Sequence, residues 1–562
     1  MPPARLLLPA RLLLIWLVGS VAAAFGAQFG PPPAHTIPSA LKQPAPLPSD
    51  AQLEASGARI GKIEIHVVQV FDLANPADDN WLFRLADRLH VPTRPAVVRA
   101  QLLFRSGQRY SRKLLDESAR NIRQNSTYLR EPVIRPIRYH DGLVDVEVIT
   151  HDVWTLEPGT DFSRSGGTNA FGFQFADSNF LGTGKSVEVG HSENVDRTST
   201  YLNWNDPNVD GSHWTDGLNY ARNSDGTVWG AGVSYPFYSL ETPLDAGVDA
   251  GDDHSVVQRY RLGQHYDSYD SDWRTADLYF GDSLVITDAW TDRLLVGWRV
   301  DRSHFLAAPN YALLAPLPAD RDLSYPFVRM QWTQNHYVTM RNLDLIARTE
   351  DVHLGLDASV GLGWAAPLFG ADRYSWIADS EISDAFAFGQ TQQLFVSGRL
   401  ASRFEDGAVH DAIATTNASY FLATSDNTRL LVSVTDNASH NPDGDHYFDL
   451  GGDTGLRGYP LRYQNGNDLG LFTLEERLYT HWFPFRLFNV GAAAFYDMGR
   501  TWGTTLVPTP QLGLLQDVGA GLRLGNARSS FGSVIHVDVA VPLERAYGIS
   551  KVQFLVTTQQ SY

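Results

Sequence analysis

The chain has 562 residues and no cysteine, carries a formal net charge of −18, and devotes 12% of its positions to aromatics and 47 to glycine. Its length admits more than one domain; the absence of cysteine excludes disulfide staples and a lipid-modified N-terminal cysteine, and the negative charge argues against a nucleic-acid partner. Abundant glycine together with aromatics points to many strands and turns.

Residues 1–27, "MPPARLLLPARLLLIWLVGSVAAAFGA", read as a secretory signal peptide. Arg5 and Arg11 supply the positive region, and Leu12 to Val21 an apolar stretch too short to span a bilayer. Small residues near Ala24 to Ala27 offer the cleavage region. Residues 28–57 form a linker, and its proline-rich part "PPPAHTIPSALKQPAPLPSDAQ" (31–52) reads as an extended spacer.

Residues 58–157 have the texture of one small α+β domain. "RIGKIEIHVVQVFD" alternates through Ile63, Ile65 and Val67 as a half-buried strand does. "NWLFRLADRLH" sets Trp81, Leu82, Leu85 and Leu89 at helical spacing. "SRKLLDESARNIRQNS" opens on Ser111 as N-cap and puts Leu114, Leu115, Ser118 and Ile122 on one face. "VIRPIRYHDGLVDVEVITHDVW" is two alternating runs joined at Asp141-Gly142, a hairpin signal.

From residue 158 to the end no helix is indicated. Short alternating runs recur between Gly, Asn, Asp and Pro clusters, among them "TVWGAGVSYPF", "LDLIARTE", "QLFVSGRLAS" and "SVIHVDVAVPL". In the first, Thr227, Trp229, Ala231, Val233 and Tyr235 share a face. Segments of about ten residues with this dyad pattern suit transmembrane strands, and in lipid only a closed barrel pairs every backbone N–H and C=O of such strands. The runs show no fixed repeat of the kind a propeller requires. "DPNVDG" (206–211) copies the start of a calcium loop, but Gly217 stands where the bidentate glutamate belongs, so the stretch reads as a polar outer loop. Phosphate-binding, nucleophile-elbow and paired-histidine zinc motifs are missing, so no enzyme, cofactor or metal is indicated.

"GLRGY" (455–459) resembles the signature loop of the outer-membrane assembly and translocation barrels, the BamA-like surface antigen family, which also includes two-partner secretion transporters. Other stretches follow in that family's order. "ADSNFLGTGKSVEVG", with Asn179, Gly182 and Gly184, resembles its turn after the first barrel strand, and "LNWNDPNVDG" its Asp/Asn-Pro turn two strands later. "TLEERLYT" resembles the strand with an inward glutamate, "AFYDMGRTW" the next strand, and "GLRLGNARSSFGSVIHVDVAVPL" the penultimate segments. The last residue is Tyr562 where the family often has Phe. Within 58–157, "VVRAQLLFRSGQRYSRKLLDESARNIR" resembles a single POTRA domain, whereas BamA-type insertases usually carry several.

The resemblance implies a mostly β fold: a transmembrane antiparallel β-barrel of about 16 strands over 158–562, preceded by one POTRA-like domain in the periplasm. It implies that Arg457 folds back into the lumen and meets Glu475 and Asp497, with Gly455 and Gly458 letting the backbone turn and approach the wall beside Tyr459. A guanidinium fork suits such bidentate carboxylate contact. Glu476, next to Glu475, then points outward, a position suited to a membrane interface. The implied work is insertion, assembly or translocation of polypeptides at the bacterial outer membrane. Its partners would be unfolded outer-membrane or secreted polypeptides, held by β-augmentation at the POTRA edge, together with outer-membrane lipid and accessory proteins. Export of one dedicated partner protein and a surface antigen or adhesin without transport activity are the alternatives.

Overall fold

The computed structural model describes residues 47–71, 73, 76, 79–530, 534–544 and 548–559. The signal peptide, the first part of the linker and Tyr562 lie outside them. The stretch read as an extended spacer ends in a helix, α1 (Asp50–Ala55), closed by a reciprocal Ser49–Gln52 capping box, and its Leu53 is fully buried in the next domain.

That domain holds β1 (Arg59–Val68), α2 (Trp81–Leu89), α3 (Pro95–Ala100), α4 (Arg112–Asn125), β2 (Leu129–His140) and β3 (Leu143–Asp152). The sheet order is β1-β3-β2, with β3 parallel to β1 and antiparallel to β2. Its central strand is buried on both faces: Val144, Val146 and Val148 have no exposure and pack with Leu115 and Ile122 of α4 on one, and Asp145, Glu147 and Ile149 are buried on the other. Asp141 and Gly142 both take positive φ, 48° and 75°, the geometry a two-residue hairpin of this hand needs. β2 is left as an edge. The face of α2 reverses expectation. Phe83 is buried against Val70 and Phe71, while Trp81, Leu85 and Leu89 are exposed.

The rest is a closed antiparallel barrel of 20 strands, not 16. In chain order they are β4 (Leu156–Ser165), β5 (Thr168–Asp177), β6 (Ser186–Glu193), β7 (Thr198–Asp206), β8 (Thr215–Asn223), β9 (Gly226–Tyr235), β10 (Leu244–Arg261), β11 (Gln264–Ile286), β12 (Trp290–Ala307) and β13 (Arg321–Gln334). After a two-stranded insert, β14 (Tyr337–Arg341) and β15 (Thr349–His353), follow β16 (Asp357–Ala365), β17 (Ser375–Phe388), β18 (Gln392–Glu405), β19 (Ala408–Ser425) and β20 (Thr428–His440). A second insert carries β21 (Phe448–Leu450) and β22 (Gln464–Gly466). The barrel ends with β23 (Asp468–Tyr479), β24 (Phe488–Trp502), β25 (Leu515–Asn526), β26 (Val534–Pro542) and β27 (Gln553–Gln559). The extra strands arise because β4 to β9 are 8–10 residues long and several of their turns are tight. They therefore use about 13 residues per strand and connection, against about 25 for a 16-stranded allotment. By contrast β11 runs for 23 residues, twice what a bilayer crossing needs.

Side chains alternate as a lipid-facing barrel demands. Phe171, Phe173 and Phe175 of β5 and Val360, Leu362 and Trp364 of β16 are exposed outward. Gln331, Ser359, Glu381, Arg399 and Thr415 line a polar cavity inside. An even strand number returns the chain to the rim where it entered, here termed the near rim. "LDLIARTE", read as a barrel strand, is instead mostly the tip of the β14–β15 hairpin, which enters the lumen from the near rim. Leu343 and Ile346 are buried there, and Ile346 packs against Tyr479, Ala493 and Val534 of the opposite wall. The second insert, residues 441–467, enters from the far rim.

Among the described residues, the barrel closes between β27 and β4 through one residue pair, Val556 opposite Arg164. β26 and β27, the neighbouring pair, run in register from Val534↔Gln559 to Ala540↔Gln553.

A lumen clasp where two inserts meet

β23 to β26 form one wall, and strand alternation turns Glu475, Arg477, Phe495, Asp497, Asp517, Arg523 and Asp538 inward. All seven are nearly inaccessible, with Asp497, Asp517 and Arg523 at 0% exposure. Charges so deeply desolvated persist only when paired and hydrogen-bonded. The insert from the far rim completes the pairing. Arg457 donates from Nε and Nη2 to the two oxygens of Asp497 at 2.7 and 2.9 Å, and from Nη1 to Glu475 Oε2 at 2.8 Å. Its guanidinium lies 3.3 Å from the ring centroid of Phe495, adding a cation–π contact. Lysine has no fork to reproduce this geometry.

The flanking residues let the insert come this close. Gly455 holds φ at 113°, and a Cβ there would lie 2.3 Å from Leu471. A Cβ on Gly458 would lie 2.6 Å from Asp517, whose carboxylate instead accepts the Gly458 N–H at 3.0 Å. Tyr459 is fully buried and donates to the Gln516 carbonyl at 2.9 Å and to Glu544. The structure thus brings together Arg457, Gly455, Gly458, Tyr459, Glu475 and Asp497.

Sequence reading missed the rest of the network. Arg523 donates to Asp538 and, at 3.3 Å, to Glu475 Oε2. Arg477 donates to Glu475 Oε1 at 3.1 Å and to the Leu343 carbonyl at 3.1 Å. The second bond matters most, because Leu343 belongs to the hairpin tip. Tyr479 likewise donates to the Asn342 carbonyl at 2.8 Å. Glu475 therefore stands between the two inserts: Arg457 reaches it from the far rim, and Arg477 ties it to the near one. At its base the hairpin joins the α+β domain, where Arg123 of α4 makes a bidentate pair with Asp351 at 2.6 and 2.7 Å. Arg120 lies 3.8 Å above the ring of Tyr337.

Asn179, Gly182 and Gly184 occupy the turn between β5 and β6, after the second barrel strand rather than the first. They form a socket for the α+β domain. Asn179 is buried, donates to Thr93 Oγ1 and accepts from Gly184 N, both at 2.7 Å. Gly182 and Gly184 take φ of 70° and 78°; added Cβ atoms would lie 2.3 Å from the Pro92 carbonyl and 2.7 Å from Val97. The "DPNVDG" turn also lies on the near rim, not in an outer loop. There Asn208 pairs with Gln101 of the α+β domain, and Lys185 neutralises Asp206 at 2.8 Å. Glu476 points outward close to the near end of β23 and accepts from Thr424 at 2.7 Å.

Asp411, Asp443 and His446 gather near the far rim with metal-ligand spacing. Arg403 already bridges the two carboxylates, at 2.8 Å to Asp443 and 3.3 Å to Asp411, so the donor set is neutralised by arginine and does not suit a cation.

A comparison of the sequence with curated proteins finds no match. Among solved structures the chain is similar to BamA from Haemophilus ducreyi lacking POTRA domains 1–3, at 13% identity over 88% of this chain and 85% of that one, with a TM-score of 0.36. It is similar to CdiB from Acinetobacter baumannii, at 13% identity over 90% and 73% with a TM-score of 0.42. It is also similar to CdiB from Escherichia coli, at 16% identity over 89% and 76% with a TM-score of 0.46. The Omp85 superfamily domain matches residues 179–559, a span that holds every residue of the clasp. This chain therefore belongs to the Omp85 superfamily, and its barrel is an outer-membrane β-barrel of the BamA-like kind that the GLRGY loop first indicated.

Proposed function

We propose that the protein moves polypeptides into or across the bacterial outer membrane, and that its working element is the β27–β4 seam. The observation that carries this reading is the one residue pair that closes the seam among the described residues, beside strands paired along their length. A strand edge exposed there would template an incoming client strand and satisfy its amides without leaving them bare in lipid. The α+β domain would serve as a POTRA domain in the periplasm. Its β2 edge is open beside β3 in the sheet, so an extended client can add to it through main-chain hydrogen bonds. In this reading the protein is no enzyme; the free energy comes from client folding.

The seam route is favoured over a lumen route because both ends of the lumen hold an insert, and the two meet at Glu475. Export of one dedicated partner is the second reading, supported by the polar inner wall of β13 to β19. A photoreactive residue at Tyr139, exposed on the β2 edge, tests the first step. Crosslinks to nascent outer-membrane barrel proteins, together with their loss from the surface on depletion, are expected. A single crosslinked secreted protein would favour the exporter. Unchanged surface and secreted proteins after depletion would overturn both.

A further inference from the structure

Helix α2 exposes an apolar face that neither the clasp nor the seam explains. Trp81, Leu85 and Leu89 are 76%, 44% and 59% exposed, and Val91 just beyond the helix is 46% exposed. Arg84 and Arg88 are exposed on the same stripe. The opposite face is anchored: Phe83 stacks on Phe71 at 4.1 Å, in a cluster with Val70, Trp154 and Leu487.

The two ends of the segment fix where this stripe lies. Before the helix, the Val70 carbonyl accepts from Arg528 at 3.1 Å, on the turn between β25 and β26, and Leu487 belongs to the turn between β23 and β24. After it, Thr93 bonds Asn179 at 2.7 Å, and Arg94 N donates to the Gly182 carbonyl at 3.0 Å, on the turn between β5 and β6. In the closed ring the strands between those turns are β26, β27, β4 and β5. Helix α2 therefore passes along the near rim beneath the seam.

We infer that α2 is an interfacial membrane helix whose exposed stripe lies in the phospholipid leaflet bordering the near rim, directly under the β27–β4 line. Exposed apolar residues continue the stripe along the barrel rim on both sides: Trp482 and Phe485 on the β23–β24 turn, Phe180 and Leu181 on the β5–β6 turn. Tryptophan and leucine interleaved with arginine suit a leaflet boundary, where the apolar body enters the acyl region and the guanidinium reaches back to phosphate. The inference rests on the membrane-barrel assignment and not on what passes through the seam.

The cysteine-free chain makes the test direct. Full-length Leu85→Cys and Ser106→Cys proteins, each carrying an environment-sensitive fluorophore, are reconstituted without client into phosphatidylethanolamine–phosphatidylglycerol vesicles. Residue 106 is an exposed control in the loop before α4. The label at 85 is expected to emit to the blue of the label at 106. It should be quenched by lipids brominated near the carbonyl end of the chain, and it should resist aqueous iodide. A label at 85 that matches 106 in all three readings overturns the inference. So does protection that appears only when an unfolded outer-membrane protein is added, which would assign the stripe to clients instead of lipid.

Discussion

Two neighbouring stretches of the barrel are held in opposite ways. Along β23 to β26 each strand pairs with its neighbour over most of its length, and the inner face carries six buried charged side chains plus the incoming Arg457. One strand further on, the described residues pair β27 with β4 only at Val556 and Arg164. Unpaired amides in lipid are costly, so a long closed ladder is the resting expectation for any barrel, and the short ladder among the described residues is what the proposed parting at this line rests on. The clasp stands immediately behind it. In the proposed function the barrel would yield at the seam while the inserts stay in the lumen, because the groups that hold them are fixed to the adjoining wall.

The sharpest way to break this contrast is to take the cation out of the wall. Arg457→Ala leaves Asp497 desolvated without its cation, while Glu475 keeps Arg477 and Arg523, and should cost about 3–5 kcal/mol. The temperature at which the folded band is lost on unheated gels reads this directly. Arg457→Lys should recover only part of the loss, since it restores charge without the fork. The next largest effect concerns the other insert. Ile346→Ala removes the apolar foot of the hairpin from Tyr479, Ala493 and Val534 and should cost about 2–3 kcal/mol by the same measurement. It should also raise single-channel conductance in planar bilayers, because the near insert loses its seat.

The clasp was partly legible in the sequence, for reasons tied to period two. Glu475 and Asp497 sit at inward positions of alternating strands next to a Gly-Leu-Arg-Gly loop, and both proved to be partners of Arg457. The same signal marked Asp517 and Arg523 in "LQDVGAGLRLGN" and Asp538 in "VIHVDVAVP", where charges lie on the face opposite Leu522 and Val539. A charge on the inward face of a membrane strand needs a partner, and asking where those partners stood would have found the full network. Strand number was not legible, because alternation looks the same in a barrel of 16 or 20 and closure depends on non-local register. Leu343, Leu345 and Ile346 passed for a strand because a hairpin tip buried in a lumen is as apolar as one. The stripe of α2 shows the same limit: helical spacing gives a face and does not say whether protein or lipid covers it.

Smaller effects sharpen the comparison. A double-mutant cycle on Arg123 and Asp351, which join the leading domain to the hairpin, should give a coupling of about 1 kcal/mol and leave the Arg457 effect unchanged. The smallest expected effect is at the far rim. Burial of His446 disfavours its charge, but a 2.6 Å contact with Asp411 and the nearby Asp445 outweigh that and hold its pKa above the usual 6.5, with Arg321 opposing. The neighbouring Asp443 is taken up by Arg403. A raised histidine pKa contributes stability that is complete below about pH 6.5 and is lost as pH rises through the folded value. The difference in unfolding temperature between wild type and His446→Gln should therefore be largest at mildly acidic pH and vanish in alkali, with the clasp unaffected.

The most direct test of the seam is to lock it. Val556 and Arg164 face each other across β27 and β4, and opposed positions of an antiparallel pair lie about 4.5–5.5 Å apart between Cα atoms, within reach of a disulfide. In an Arg164→Cys, Val556→Cys protein, oxidation should form the crosslink and halt delivery of outer-membrane or secreted polypeptides, and reductant should restore it. Full delivery by the crosslinked protein would contradict the account.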